Sequence, residues 1–219
     1  MIIRHKVTVS NELIKLFRKE VYEHIVAEIM CLSEIVFPEE YCYKEQQPNG
    51  ECDYVGLTSK KKYDAKLPFE PEQIKLLTDG KLHSPQIIEW LKQLYDEASD
   101  FDPLKIREDP SYCVASTKLY KIMRKQLIKD NPDENIIYFI PYPIVMYSIY
   151  GTPFPNQTSN YLNMIYETMK KENVLLGRNL YVILPSSDKN IWALVDLEKR
   201  DPEFIEYDNI EKYISYEIV

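Results

Sequence analysis

Two aspartates and a lysine in the segment ECDYVGLTSKKKYDAKLPF have the residue types of a metal-assisted hydrolytic site. Asp64 follows Asp53 after eleven positions, and Lys66 comes two residues later. Neighbouring carboxylates repel each other unless a cation lies between them, and Mg²⁺ is commonly held by one or two carboxylates, waters and a substrate phosphate. A nearby lysine can orient a water for attack on phosphorus or offset charge in the transition state.

A β-hairpin would bring these three side chains together. Aromatic and β-branched residues precede a polar basic turn, and beyond it apolar residues alternate with Asp64 and Lys66. A turn centred between positions 59 and 60 pairs residue 55 with 64 and residue 53 with 66, so all three side chains share one face. A three-residue loop would put Asp53 on the opposite face. The alternative without chemistry is a solvated hairpin that carries an ordinary cross-strand Asp–Lys pair.

A helix upstream of the hairpin carries a further carboxylate. Ser10 is a suitable N-cap, and apolar residues recur at helical spacing from Asn11 to Leu32. On a helical projection Glu28 lies near the middle of this apolar stripe, with Glu20 and His24 along its edge. A buried carboxylate needs a partner, so Glu28 is predicted to meet a cation, a metal or a hydrogen-bond network. A tyrosine hydroxyl or a lysine would satisfy it without any role in chemistry.

An inward acidic residue on the first helix, followed by Asp53 and then Asp64-Ala65-Lys66, resembles the PD-(D/E)XK nuclease superfamily over roughly residues 10–70. The resemblance implies a restriction-endonuclease-like core, which is a central mixed sheet flanked by helices. It implies Mg²⁺ or Mn²⁺ bound by Asp53, Asp64 and the carbonyl of Ala65, with Glu28, or Glu20 in its place, as the helix carboxylate. Lys66 would position water or stabilise charge.

Two features depart from what this resemblance implies. The residue before Asp53 is Cys52, where the family pattern has proline. The net charge is −8, whereas a protein that grips nucleic acid unaided is expected to have a basic surface. Basic residues are nevertheless clustered at Lys60, Lys61 and Lys62 in the hairpin turn, which are predicted to contact nucleic acid, and again along residues 118–129. The alternative for the second cluster is a solvated helix face.

Composition narrows the remaining possibilities. The chain has 219 residues, 45% of them hydrophobic and 28% charged, which is typical of a globular protein, and the expectation is one α/β domain over 1–219. Neither a GxGxxG nor a GxxxxGK[ST] motif occurs, so nucleotide-binding loops have no support. The four cysteines lack CxxC spacing and no secretory segment is evident, which favours a reduced, cytoplasmic protein with no membrane span.

The sequence thus predicts a divalent-metal-dependent nuclease that hydrolyses phosphodiester bonds of DNA or RNA. The alternative is a non-enzymatic interaction protein, an immunity or defence-associated subunit with a vestigial nuclease-like fold. Residues 135–166 carry no charged side chain before Glu167 and are rich in tyrosine and proline, so this stretch could contact a protein partner.

Further elements follow from periodicity and turn residues. Helices are predicted from about 71 to 77, from 84 to 99, from 115 to 129, and from 161 to 171 with Thr158 or Ser159 as its N-cap. A buried strand is predicted at 136–140, and a second hairpin at 180–184 and 191–195. The tail from Phe204 onward alternates too weakly for an assignment.

Overall fold

The computed structural model describes residues 5–9, 18–43, 52–79, 115, 117–140, 155–185, 191–200, 202–207 and 214–218. The N-cap at Ser10, the first part of its helix and the helix predicted at 84–99 lie outside these ranges, as does the middle of the uncharged stretch.

Nine strands and four helices occupy the described residues. In chain order they are β1 (His5–Val9), α1 (Lys19–Leu32), β2 (Tyr41–Tyr43), β3 (Tyr54–Gly56), β4 (Lys62–Lys66), α2 (Pro71–Thr78), α3 (Lys118–Lys129), β5 (Glu134–Phe139), α4 (Pro155–Lys171), β6 (Leu180–Pro185), β7 (Ile191–Asp196), β8 (Pro202–Glu206) and β9 (Ile214–Ile218). The strands β1 and β9 form an antiparallel pair, and the other seven form one sheet in the order β2-β3-β4-β5-β6-β7-β8.

The seven-stranded sheet is mixed, which confirms the predicted α/β class. Its centre is parallel, because β5 runs parallel to both β4 and β6, and its flanks are antiparallel. The connections between parallel strands pass through α3 and α4, as parallel strands require. The predicted buried strand at 136–140 is confirmed by β5, and Ile136 to Ile140 are all fully buried.

Helices cover both faces of this sheet. Tyr22 of α1 stacks on Phe139 with 6.3 Å between ring centroids. The hydroxyl of Tyr138, the preceding residue, donates a hydrogen bond to the carbonyl of Met123 in α3 at 3.2 Å. Since successive strand residues point to opposite faces, α1 and α3 lie on opposite sides of the sheet. Lys66 pairs with Tyr138 in the parallel register, so Lys66 and Asp64 face the α3 side.

The ends of the helices explain where the chain turns. The hydroxyl of Thr117 accepts a hydrogen bond from Tyr120 N and caps α3. The helix therefore begins at Lys118, three residues after its predicted start at 115. The buried Arg178 donates to the carbonyl of Leu127 near the other end, at 2.8 Å. The helix α4 begins at Pro155 and not after Thr158 or Ser159. Proline suits the first helical position, which accounts for this earlier start.

Candidate active site at the β3–β4 hairpin

The hairpin predicted to carry Asp53, Asp64 and Lys66 is present, but its register differs from the prediction by two residues. Tyr54 pairs with Tyr63 and Val55 with Lys62, so continuing the register puts Asp53 opposite Asp64 and not opposite Lys66. The backbone N–H of Ala65 donates to Oδ2 of Asp53 at 2.9 Å, which fixes this arrangement. Because the shift is an even number of residues, the predicted common face of the two aspartates is retained.

The turn explains the shift. Lys60 adopts a left-handed backbone conformation with φ 59°, and its N–H donates to the carbonyl of Gly56. The carboxylate of Glu39 accepts hydrogen bonds from the N–H groups of Thr58 and Ser59, each at 2.9 Å. Because Glu39, which lies outside the hairpin, satisfies these two turn amides, they are not available for hydrogen bonds to β4. The strand β3 accordingly ends at Gly56. This contact joins residues nineteen positions apart, so hairpin rules alone do not predict it.

The carboxyl of Asp53 is costly to ionise. Burial, a hydrogen bond with the Asp64 carboxyl and the charge of Asp64 raise the pKa of Asp53 to about 8, although the Ala65 N–H acts in the opposite direction. Two neighbouring carboxylates repel each other, so a second negative charge is costly at this position. A cation placed between them would offset this repulsion.

Lys66 is shared between two carboxylates. Its ammonium lies 2.5 Å from Oδ2 of Asp64 and 3.2 Å from Oδ1 of Asp130, the residue that ends α3. Burial lowers the pKa of Lys66, but the charges and hydrogen bonds of Asp64 and Asp130 outweigh it, so the net pKa is raised. Lys66 is therefore a cation and a hydrogen-bond donor at neutral pH, not a base. Asp130 was not among the predicted site residues.

Glu28 does not belong to this cluster, which corrects the sequence prediction. Its carboxylate is 40% exposed, lies 3.3 Å from Nε2 of His24, and accepts a hydrogen bond from the hydroxyl of Tyr207. The buried face of α1 instead contains Tyr22, Val26 and Ile29, while Leu32 is exposed. The apolar stripe predicted from the sequence is therefore rotated about the helix axis relative to the buried face of α1. The reason is that its position was inferred partly from residues 13–17 and from Leu32. Glu20, the substitute, lines the cavity described below.

Glu23 is the helix carboxylate that the structure brings to the aspartates. It is 3% exposed, and its backbone carbonyl accepts a 2.7 Å hydrogen bond from the hydroxyl of Tyr54, next to Asp53. The ammonium of Lys19, one turn earlier, lies 3.1 Å from Oε1 of Glu23 and 3.7 Å from Oδ1 of Asp53. Burial raises the pKa of Glu23, and Lys19 only partly offsets this. The i,i+4 spacing of Lys19 and Glu23 was the sequence signal for this pair.

A cavity of about 510 Å³ opens beside these residues. Asp64 and Lys66 line one wall, Arg18, Lys19 and Tyr22 of the α1 region line another, and Gln126 of α3 contributes as well. Asp53 lies behind Asp64 and is almost fully buried. Glu20 lines the cavity too, so its wall presents two carboxylates, one of them from the aspartate pair, and three cationic side chains.

The hairpin lysines lie outside this cavity. Lys60, Lys61 and Lys62 are all exposed, and the ammonium of Lys60 donates to the carbonyl of Leu57 in the same turn. Lys62 lies two and four residues before Asp64 and Lys66 on β4, so the three side chains point to the same face. Their predicted role in nucleic-acid binding stays a prediction.

The donor set around Asp53 and Asp64 suits a hard divalent cation. Within the described part of the chain, no group of three or more His, Cys, Asp or Glu side chains is arranged to hold a metal ion. Mg²⁺, however, is commonly bound by only one or two carboxylates together with waters. The Ala65 N–H points to Asp53, and the carbonyl of a strand residue points to the same edge as its N–H, so Ala65 would add a third oxygen.

Comparisons of the chain with protein-family models, with curated proteins and with solved structures found no match. Among the described helices, none is both long enough and apolar enough to cross a membrane.

Proposed function

We propose that the chain is a divalent-metal-dependent nuclease that hydrolyses phosphodiester bonds of nucleic acid. The observation that supports this proposal best is the convergence of Asp53, Asp64 and Lys66 beside a cavity lined by further cations. A purely structural hairpin gains little from two facing carboxyls of which one is buried, because burying such groups destabilises a fold. Carboxyl groups whose pKa is strongly shifted by burial and by a neighbouring charge are concentrated at functional sites.

Asp53, Asp64 and the carbonyl of Ala65 would hold Mg²⁺ or Mn²⁺, and Glu23 would add negative charge from α1. When bound, the cation supplies Lewis-acid polarisation of a phosphoryl oxygen and a bound water of lowered pKa. Lys66 holds its ammonium beside Asp64, from which it can donate a hydrogen bond to the attacking water or to a phosphoryl oxygen. Because the ammonium of Lys66 also pairs with Asp130, it is shared between two carboxylates and is not bound to Asp64 alone. The restriction-endonuclease-like core is part of this proposal.

The test combines metal titration and cleavage. Mn²⁺ should bind the wild type with a Kd in the micromolar to millimolar range, and cleavage of single- or double-stranded DNA or RNA should stop when chelator is added. Asp64→Asn should abolish both binding and cleavage, whereas Lys66→Ala should retain much of the binding and lose the rate. Calorimetry and a gel assay measure the two quantities.

The control is Glu198→Gln, which removes an exposed carboxylate 3.8 Å from the ammonium of Lys170. This variant should bind Mn²⁺ and cleave like the wild type. A wild type that neither binds Mn²⁺ nor cleaves any of these substrates would exclude the nuclease and favour the interaction protein.

A further inference from the structure

The ammonium of Lys19 lies close enough to Asp53 to compete with a divalent cation for that carboxylate. It lies 3.1 Å from Glu23 and 3.7 Å from Asp53, two carboxyl groups that are otherwise buried. Asp53 is also half of the proposed metal-binding pair. In the metal-free protein the ammonium of Lys19 is thus the cation that pairs with both groups, and a divalent cation beside Asp53 would lie within a few ångströms of this like charge.

The two lysines at the site are held differently. The side chain of Lys66 is only 21% exposed, and two carboxylates fix it. The side chain of Lys19 is 62% exposed and projects from the first turn of α1 at the wall of the cavity. Lys19 can therefore leave the carboxylates by rotating its long side chain into solvent, without disturbing the packing of α1.

We infer that Lys19 is an exchangeable counter-ion, which pairs with Asp53 and Glu23 in the metal-free protein and turns to the substrate phosphate when a divalent cation binds. This inference rests on the proposed function and adds a substrate-binding residue to it. After the exchange, the ammonium of Lys19 lies beside Arg18 at the cavity wall, where both side chains are available to a nucleic-acid phosphate. Metal and polyanion binding are thereby coupled.

The first test is the Mn²⁺ affinity of Lys19→Met, measured by calorimetry. Since the variant lacks the competing ammonium, it should bind Mn²⁺ about three- to tenfold more tightly than the wild type, the scale expected of one partly exposed ion pair. The matched control is Lys170→Met, which breaks an ion pair with Glu198 away from the cavity and should leave the affinity unchanged. An equal or weaker affinity in Lys19→Met would overturn the exchange.

The second test asks whether Lys19 contacts phosphate only when metal is bound. Binding of a fluorescent DNA oligonucleotide is measured as a function of salt concentration. Both proteins carry Lys66→Ala, so that the oligonucleotide is not cleaved during the measurement, and one of them also carries Lys19→Met. With saturating Mn²⁺, Lys19→Met should reduce the slope of log affinity against log salt by about one contact. In chelator it should leave the slope unchanged, because Lys19 is then held by the carboxylates. An equal reduction in both conditions contradicts the exchange.

The outcomes separate this inference from the proposed function. If the wild type binds Mn²⁺ and cleaves nucleic acid while Lys19→Met has the same Mn²⁺ affinity, only the exchange fails. If neither protein binds Mn²⁺, the exchange and the metal-dependent nuclease both fail. Tighter Mn²⁺ binding by Lys19→Met supports the exchange even where cleavage is slow.

Discussion

At the scale of single residues, the site depends on which carboxylates are withdrawn from water. Asp53 and Glu23 are each 3% exposed, whereas the carboxylate of Glu28 is 40% exposed and pairs with His24. A buried carboxylate contributes a strong local field because water does not screen it, while an exposed one is screened. Glu23 should therefore influence a cation at Asp53, and Glu28 should not.

This contrast predicts different effects of two isosteric changes on the same helix. Glu23→Gln should weaken Mn²⁺ binding by about tenfold, because it removes a buried negative charge near Asp53. Glu28→Gln should leave the Mn²⁺ affinity within about twofold, given that its charge is screened by solvent. Calorimetry on the two variants provides the comparison. Equal losses would mean that the cation is bound elsewhere on α1.

The same residues show what could be predicted from the sequence. The common face of Asp53, Asp64 and Lys66 depends on the two-residue repeat of strands, which is a local property. The predicted common face was therefore correct although the predicted strand register was wrong by two residues. Glu23 was missed because its burial is decided by Tyr54 and Tyr43, which approach α1 from β3 and β2 and whose hydroxyls donate to its carbonyl and carboxylate oxygens. Such contacts between distant segments have no signature in periodicity.

At the scale of elements, one glutamate joins the end of the sheet to α1. Glu203 on β8 is 9% exposed and accepts hydrogen bonds from the hydroxyl of Ser33, at 2.6 Å, and from the N–H groups of Glu34, Ile35 and Val36. These donors follow α1 directly, so Glu203 orders the chain between α1 and β2. Burial raises the pKa of Glu203, but the Ser33 hydroxyl and the three N–H groups outweigh it, and the pKa is lowered overall.

Glu203→Gln should reduce the free energy of unfolding by about 2 kcal/mol or more at pH 7, since hydrogen bonds to a charged acceptor are among the stronger ones. A group whose pKa is lower in the folded state stabilises the fold above its unfolded pKa, and that contribution is lost as the pH falls through the folded pKa. Urea denaturation should therefore show the difference between wild type and variant at pH 7 and a smaller difference below about pH 4.

The control for this change is Glu206→Gln, an exposed residue on the same strand, which should alter stability by less than about 0.5 kcal/mol. A pH-independent difference between wild type and Glu203→Gln would show that the carboxylate is not ionised in this contact.

The elements also differ in how far they could be predicted. The second hairpin, α2 and α3 were predicted near their observed bounds, because turn residues, capping residues and apolar repeats mark them locally. β8 was not predicted, although it is a strand of the main sheet. Its outward residues are Phe204 and Glu206 and its inward residues are Glu203 and Ile205, so both faces mix apolar and acidic side chains. Only the contact of Glu203 with the chain after α1 explains an inward glutamate.

At the scale of the whole molecule, the proposed function requires that an acidic protein place its cations where a polyanion can reach them. The net charge is −8, yet exposed charges are screened over about 8 Å at physiological salt, so charges near the bound phosphates dominate. Arg18, Lys19 and Lys66 line the cavity, and Lys62 lies on the same face of β4 as Asp64. For the proposed function, this distribution would give a nucleic acid a short cationic path toward the cavity.

Charge reversal in the hairpin turn tests this distribution. The triple change Lys60→Glu, Lys61→Glu and Lys62→Glu should weaken binding of a DNA or RNA oligonucleotide and reduce the magnitude of the salt slope by about two to three, because each lysine that contacts a phosphate releases about one counterion. Reversal of Lys170, Lys171 and Lys199, at the end of α4 and in the β7–β8 turn, alters the net charge equally and should leave the slope nearly unchanged. Fluorescence anisotropy at several salt concentrations gives both slopes, and thermal melting verifies that each variant is folded. If both triple variants lose affinity to the same extent, the total charge and not the hairpin governs binding, and the role of Lys60, Lys61 and Lys62 is excluded.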